Sequence, residues 1–329
     1  MGHAFSLAAE PEISASAPPL GQQPSALLCG QSRAICYSGF RRGQHPDRGD
    51  GAINPSEAEI LEDLKILTNQ GFRLIRLYDS QVNSATVLRV IKANQLDLKV
   101  LLGAWLDAEM KNPNCQWQTV PVTEELITAN QAKNREEIQR LIRLAKEYPH
   151  IVAAVAIGNE ALVDWNDHMV PVESVIRYVR EVKHAVSQPV TVADNYDWWA
   201  KKGAGLAEEL DFISIHIYPI WENKDIGDAI AYGEANLKSI RKALPHRQIV
   251  ITEAGWATVS SEFGSRASEE KQKEYCDALL EWSKKLNITT FLFEAFDEEW
   301  KGNPHDPLGA EKHWGLYTVN RKPKQVMRR

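Results

Sequence analysis

At 329 residues, 43% of them hydrophobic, the chain is long enough to bury a large core, and alternating strand–helix barrels of this size fold as one domain. Its formal net charge of −6 comes from interspersed acids and bases, which argues against a nucleic-acid or anionic-membrane partner. No apolar run of about 18 residues is present, so no transmembrane helix is expected.

Residues 1–25 are rich in Ala, Ser and Pro and lack the basic–apolar–small succession of a signal peptide; they read as a tail or linker before a single domain over 26–329. The first strand candidate is Ala34–Phe40, followed by a loop full of Gly, Pro and Asp. Ser56 and Glu59 then form a capping box ahead of a periodic helix. Phe72–Asp79 is strand two, Ser84 opens a helix to about Asn94, and Lys99–Leu106 is strand three. A long segment over 107–126 interrupts the rhythm. Ile138, Leu141, Ile142 and Ala145 then mark a third helix.

Strand four, Ile151–Glu160, is a run of small and β-branched residues that ends in Gly158, Asn159 and Glu160. Such a run reads as a strand buried on both faces. A helix begins near Pro171. Pro189–Tyr196 and Asp211–Pro219 are strands five and six, and a helix spans roughly 225–243. Strand seven, Gln248–Trp256, repeats the logic of strand four: apolar until it delivers Glu253. A helix from Ser268 and a strand over Thr289–Glu298 complete the series. Eight strands alternating with helices predict an α/β fold, a single closed (β/α)8 barrel. An open doubly wound sheet is disfavoured because no Gly-rich phosphate loop follows strand one.

Alternation along each strand selects the inward side chains. Ile213, Ile215 and Ile217 face outward, leaving His216 and Tyr218 inward. Strand two turns Arg76 and Tyr78 inward. Strand four turns Ala154, Ala156, Gly158 and Glu160 inward, and strand eight turns Glu294 inward and Phe293 outward. Active sites of such barrels lie at the C-terminal mouth, where Arg76, Tyr78, Glu160, Asn195, His216, Tyr218, Glu253 and Glu294 are expected together. Two acids delivered to one cleft are the minimum equipment for glycosidic-bond hydrolysis. Six of the ten tryptophans, Trp105, Trp198, Trp199, Trp221, Trp256 and Trp300, fall at or just past strand ends and favour a sugar-binding groove. The nine histidines offer no H-x-H or H-E-x-x-H pair, and the four cysteines fit no zinc spacing, so neither metal nor cofactor is expected. Cys36 and Cys276 read as buried thiols, with a Cys29–Cys36 bridge left open.

These residues carry a resemblance. AIGNE at Glu160, HIYP at Tyr218, TEAGW at Glu253, FEAFDEEWK over 293–301 and EKHWGLY over 311–317 resemble glycoside hydrolase family 17, the β-1,3-glucanase family, over residues 34–326. The form of the last two motifs is nearer the bacterial and fungal members than the plant ones. The family usually has Pro where Glu299 stands. The resemblance implies a retaining mechanism, with Glu160 as general acid and then base, Glu253 as nucleophile, and Glu298 and Lys301 as auxiliary charges. Arg76 and the Tyr218 hydroxyl would hold Glu253 ionised, and Asn159 would bond the sugar 2-hydroxyl. The two carboxylates should then lie about 5–5.5 Å apart. Tyr78, Asp79, Trp105, Asn195, Trp256, Glu294 and Trp300 are the candidate substrate contacts. The implied partner is a β-1,3-glucan such as laminarin, handled by an extracytoplasmic monomer. A transglycosylase using the same pair, a non-catalytic glucan-binding protein and a metal-dependent hydrolase are the rival readings.

Overall fold

Each apolar run forms a strand, and each strand lies parallel to the one before it. The computed structural model describes residues 20–328 apart from 25, 29, 48, 49 and 119. The strands are β1 (Arg33–Cys36), β2 (Phe72–Arg76), β3 (Lys99–Ala104), β4 (Val152–Asn159), β5 (Val190–Asn195), β6 (Ile213–Ile217), β7 (Ile249–Ala254) and β8 (Thr290–Leu292). They pair in chain order, and β8 returns to β1 through Ala34 opposite Phe291 and Ile35 opposite Leu292. The sheet is therefore a closed (β/α)8 barrel rather than an open one.

Helices α1 (Glu57–Asn69), α2 (Val82–Ala93), α3 (Glu124–Glu147), α4 (Val172–Ala185), α5 (Tyr196–Lys202), α6 (Ala204–Ala207), α7 (Ala229–Ala243) and α8 (Glu269–Lys285) follow the strands. Their starts obey local chemistry. At α1, Glu59 N–H donates to Ser56 Oγ at 3.3 Å and Ser56 N–H donates to Glu59 Oε2 at 2.8 Å, the expected capping box. Ser268 caps α8, whose first turn carries Glu269 and Glu270 against the helix dipole. The pair α5 and α6 carries no clear periodic signal, being one short helix and a single turn. Ile213, Ile215 and Ile217 are buried on the outer face of β6, as the alternation requires. Among the described residues no helix is long and apolar enough to cross a membrane.

The strands stop one to six residues short of the predicted ends, because the mouth residues leave the ladder to serve the site. One boundary also moves. Gln22 Nε2 donates to Ile249 O at 2.9 Å and its Oε1 accepts from Ile249 N–H at 3.0 Å, at the N-terminal end of β7. Packing on the barrel thus begins before the expected tail boundary at residue 25. Cys36 is a buried free thiol that donates to Thr252 O at 3.3 Å; Cys29, the other half of the bridge left open, lies outside the described residues.

The C-terminal segment returns to α1. Arg321 donates to both oxygens of the fully buried Asp63, at 2.8 and 2.6 Å, and Arg41 and the Tyr37 hydroxyl add bonds at 2.9 and 3.3 Å. Removing Arg321 takes two charge-assisted bonds from the buried Asp63 and leaves it with Arg41 and the Tyr37 hydroxyl. Arg321→Ala is expected to cost about 3 kcal/mol in urea unfolding, and Arg321→Lys, lacking the planar fork, recovers only part of it.

Candidate active site

The mouth is built around a cation. Arg76 ends β2 and is 1% exposed. Its Nη1 lies 2.7 Å from Glu253 Oε1 and 3.1 Å from both Thr252 O and His216 Nε2, while Nη2 donates to Asn159 Oδ1 at 2.6 Å. One guanidinium thus touches β4, β6 and β7. Glu253, on β7, is 5% exposed and receives the Tyr78 hydroxyl at 2.9 Å and the Tyr218 hydroxyl at 2.6 Å. Burial pushes the Glu253 carboxyl up. His216, Arg76 and the two phenols together outweigh burial and hold it below the ordinary carboxylate value.

Glu160 stands one residue past β4, with its side chain 22% exposed. His216 Nδ1 lies 2.9 Å from Glu160 Oε1 and 3.5 Å from Glu253 Oε2, so one imidazole spans both acids. The guanidinium facing Nε2 requires a lone pair there, which puts the ring proton on Nδ1, toward the carboxylates. Ligand atoms of Glu160, His216 and Glu253 all lie within 4.8 Å of one another. That spacing could bracket a cation, but Arg76 already supplies positive charge to Glu253.

The end of β4 departs from simple alternation. Strict alternation would send Asn159 and Glu160 to opposite faces. Instead the β4–β5 register shifts between Ala156 and Asn159, with Gly158 at φ +79° and Glu160 at φ +49°. Both side chains therefore reach the mouth. The left-handed backbone at Glu160, unfavourable for a residue with a Cβ, is tied down by its N–H donating to Ala193 O at 2.8 Å and its C=O accepting from Asn166 Nδ2 at 3.0 Å.

A second charged group flanks the first. Lys301 Nζ sits between Glu294 Oε2 at 2.5 Å and Glu298 Oε2 at 2.7 Å, and Ser38 Oγ donates to Glu298. All three are largely buried. Burial drives Glu294 well above the ordinary value. Glu298 ends below it, because the pull of Lys301 and its hydrogen bonds outweighs burial. Lys301 lies over the Phe293 ring, which packs edge-on against Tyr218, so the two groups are joined. Phe293 was expected to face outward; β8 ends at Leu292, so no strand remains there for alternation to act on.

Several candidate substrate contacts have other employment. Trp256 is fully buried against Tyr275 of α8, its indole donating to Arg266 O at 2.8 Å, so it offers no face to a sugar. Trp198 and Trp199 are likewise buried, in α5, and leave the rim. Glu294 is 2% exposed and serves Lys301. Asp79 accepts from Gln81 N–H and Ser84 Oγ at the start of α2, and Asn195 caps α5 through Asp197 N–H. Tyr78 contacts Glu253 itself. Trp105 is half-buried against His168, Trp300 packs edge-on against Phe40, and Trp221 remains 42% exposed. Two exposed indoles, Trp117 and Trp165, lie outside the predicted set, on the loops after β3 and β4. Glu299, at the position where Pro was expected, pairs with Arg42 at 2.8 Å on the surface.

One acid lacked a predicted role. Glu311 opens the EKHWGLY motif, and burial, with Glu253 and Glu160 adding to it against the opposing pull of Lys301, raises it from 4.5 to about 7. The folded chain therefore keeps a proton that the unfolded chain releases. Stability from this group is full below pH 4.5 and is lost as pH rises to about 7. Urea midpoints of the unchanged protein should fall across that interval more than those of Glu311→Gln.

Comparison with known proteins follows the same lines. The family model described as BtgE/BtgC glycoside hydrolase domain matches residues 34–315. A glucan 1,3-beta-glucosidase of Arthroderma benhamiae is 25% identical over 302 residues, covering 84% of this chain and 86% of the relative. A putative glucan endo-1,3-beta-glucosidase btgC of Aspergillus niger is 28% identical over 82% of this chain, which spans only 40% of that relative. The crystal structure of a Formosa endo-laminarinase superposes with a TM-score of 0.79 at 27% identity, covering 91% of this chain and 87% of that one.

Proposed function

Because the chain belongs to the BtgE/BtgC glycoside hydrolase domain family, within glycoside hydrolase family 17, we propose that it is a retaining endo-β-1,3-glucanase acting on laminarin-type glucan outside the cytoplasm. The observation that carries the stereochemistry is the closeness of Glu160 and Glu253, whose nearest ligand atoms lie within 4.8 Å across His216. Retaining pairs stand about 5–5.5 Å apart, whereas inverting pairs leave about 6.5–9.5 Å for a water.

Glu253 is the nucleophile. Four groups support its ionised form: Arg76, Tyr78, Tyr218 and the His216 imidazole. In the first step its carboxylate attacks the anomeric carbon, the glycosidic C–O bond breaks, and Glu160 gives its proton to the departing oxygen. The glycosyl ester removes the negative charge from Glu253. Glu160, now a carboxylate, takes a proton from water, whose oxygen attacks the anomeric carbon and releases Glu253. Asn159, its Oδ1 engaged by Arg76, keeps its amide N–H groups as donors to the sugar 2-hydroxyl. Glu298 and Lys301 are the auxiliary charges beside Tyr218.

Glu253→Gln should lower turnover of laminarin by about 10⁴-fold or more while leaving glucan binding intact. Proton NMR of the unchanged protein's first products should reveal the β-anomer. An α-anomer, or an unaltered rate in the variant, sinks the assignment; products longer than the substrate would mark a sugar acceptor in place of water.

A further inference from the structure

The side chain of His168 meets two oxygens that can only accept. Nε2 lies 2.9 Å from the backbone carbonyl of Asn159, and Nδ1 lies 2.9 Å from Asp167 Oδ1. Each contact sets one ring nitrogen against an acceptor oxygen, so the ring bridges its own loop to the end of β4. The ring also lies against Trp105, with centroids 4.4 Å apart at 37°, which holds the imidazole in place. The His168 side chain is 11% exposed and meets the Asn159 carbonyl in a part-buried contact, whereas Asp167 stands at the surface, 50% exposed.

The carbonyl it holds belongs to the peptide that enters Glu160. The other end of that peptide, Glu160 N–H, donates to Ala193 O on β5. The unit is therefore clamped from both sides at the point where Gly158 and Glu160 take left-handed backbone. The clamp is anchored. Ala161 and Val170 close the loop that carries His168 through a 2.8 Å backbone bond. The buried Asn112 donates to Asp164 O and Asn166 O, each at 2.7 Å, and Leu162 N–H donates to the buried Asp194. A fixed loop thus reaches back through one imidazole to set the backbone of the acid.

We propose that His168 is a positioning residue for Glu160: bridging Asp167 and the Asn159 carbonyl, it fixes the peptide from which the proton-donating carboxyl is aimed. The inference rests on the retaining reading above. It separates from general structural support by leaving group. A sugar leaving group needs a proton from Glu160. A 2,4-dinitrophenolate needs none, and kcat/KM for such a glycoside reports only the step up to its departure.

The test compares kcat/KM on a laminari-oligosaccharide and on a 2,4-dinitrophenyl β-laminaribioside, for the unchanged protein and for His168→Ala, His168→Gln and Asp167→Asn. His168→Ala should lose about 10- to 100-fold on the oligosaccharide, mainly in kcat, and stay within about threefold on the dinitrophenyl substrate. His168→Gln, whose amide can still donate to the Asn159 carbonyl, should recover most of the loss. Asp167→Asn should show a smaller loss with the same substrate selectivity, and it serves if His168→Ala does not fold. Equal losses on both substrates, or none on the oligosaccharide, overturn the inference alone. No turnover of either substrate by the unchanged protein overturns the retaining reading and this inference with it.

Discussion

Arg76 carries a permanent charge into the closed barrel at 1% exposure, where a cation persists only with partners that compensate its lost hydration. Its partners are Glu253, Asn159, His216 and a carbonyl of β7, so the ends of β4, β6 and β7 are drawn onto one planar fork. Lysine could not replace it, having neither the rigid geometry nor enough directed donors. The arrangement fixes the ionisation of Glu253 and the placement of Asn159 at once. Whatever chemistry the mouth performs starts from that one buried charge.

The two acids nevertheless sit in unlike surroundings. Glu253 is enclosed by donors, whereas Glu160 keeps a part-exposed side chain on an unusual backbone. Two histidines stand on either side of Glu160 in different roles. His216 touches its carboxylate and faces a guanidinium, so it presents a single proton. His168 touches the backbone before it and faces two acceptors. Differing environments for paired carboxylates are the usual means by which one stays ionised and its neighbour moves protons.

Much of this was legible in the sequence because it depends on patterns with a single physical reading. Eight apolar runs gave eight strands, and period-two alternation aimed Arg76, Tyr78, His216 and Glu253 correctly into one space. The ends were less legible. Where a strand stops, alternation stops with it, so Phe293 went to the wrong side and the turn that brings both Asn159 and Glu160 to the mouth was invisible. Tryptophan position along the chain does not report depth: Trp256, Trp198 and Trp199 follow strand ends yet are buried. Asn195 and Asp79 could be read as sugar contacts or as helix caps from identity alone, and local backbone geometry gave them to the caps. Glu311 lay inside a quoted motif but far along the chain from its electrostatic neighbours, which only closure of the barrel brings near.

The segment around Gln22, bonded across the start of β7, has a practical corollary. Those contacts lie at the opposite pole of the barrel from the two acids, so the chain enters the packed domain from beneath. A surface tether or reporter joined directly at Leu20 would leave the barrel at the pole opposite the opening, with the approach from above unobstructed by it.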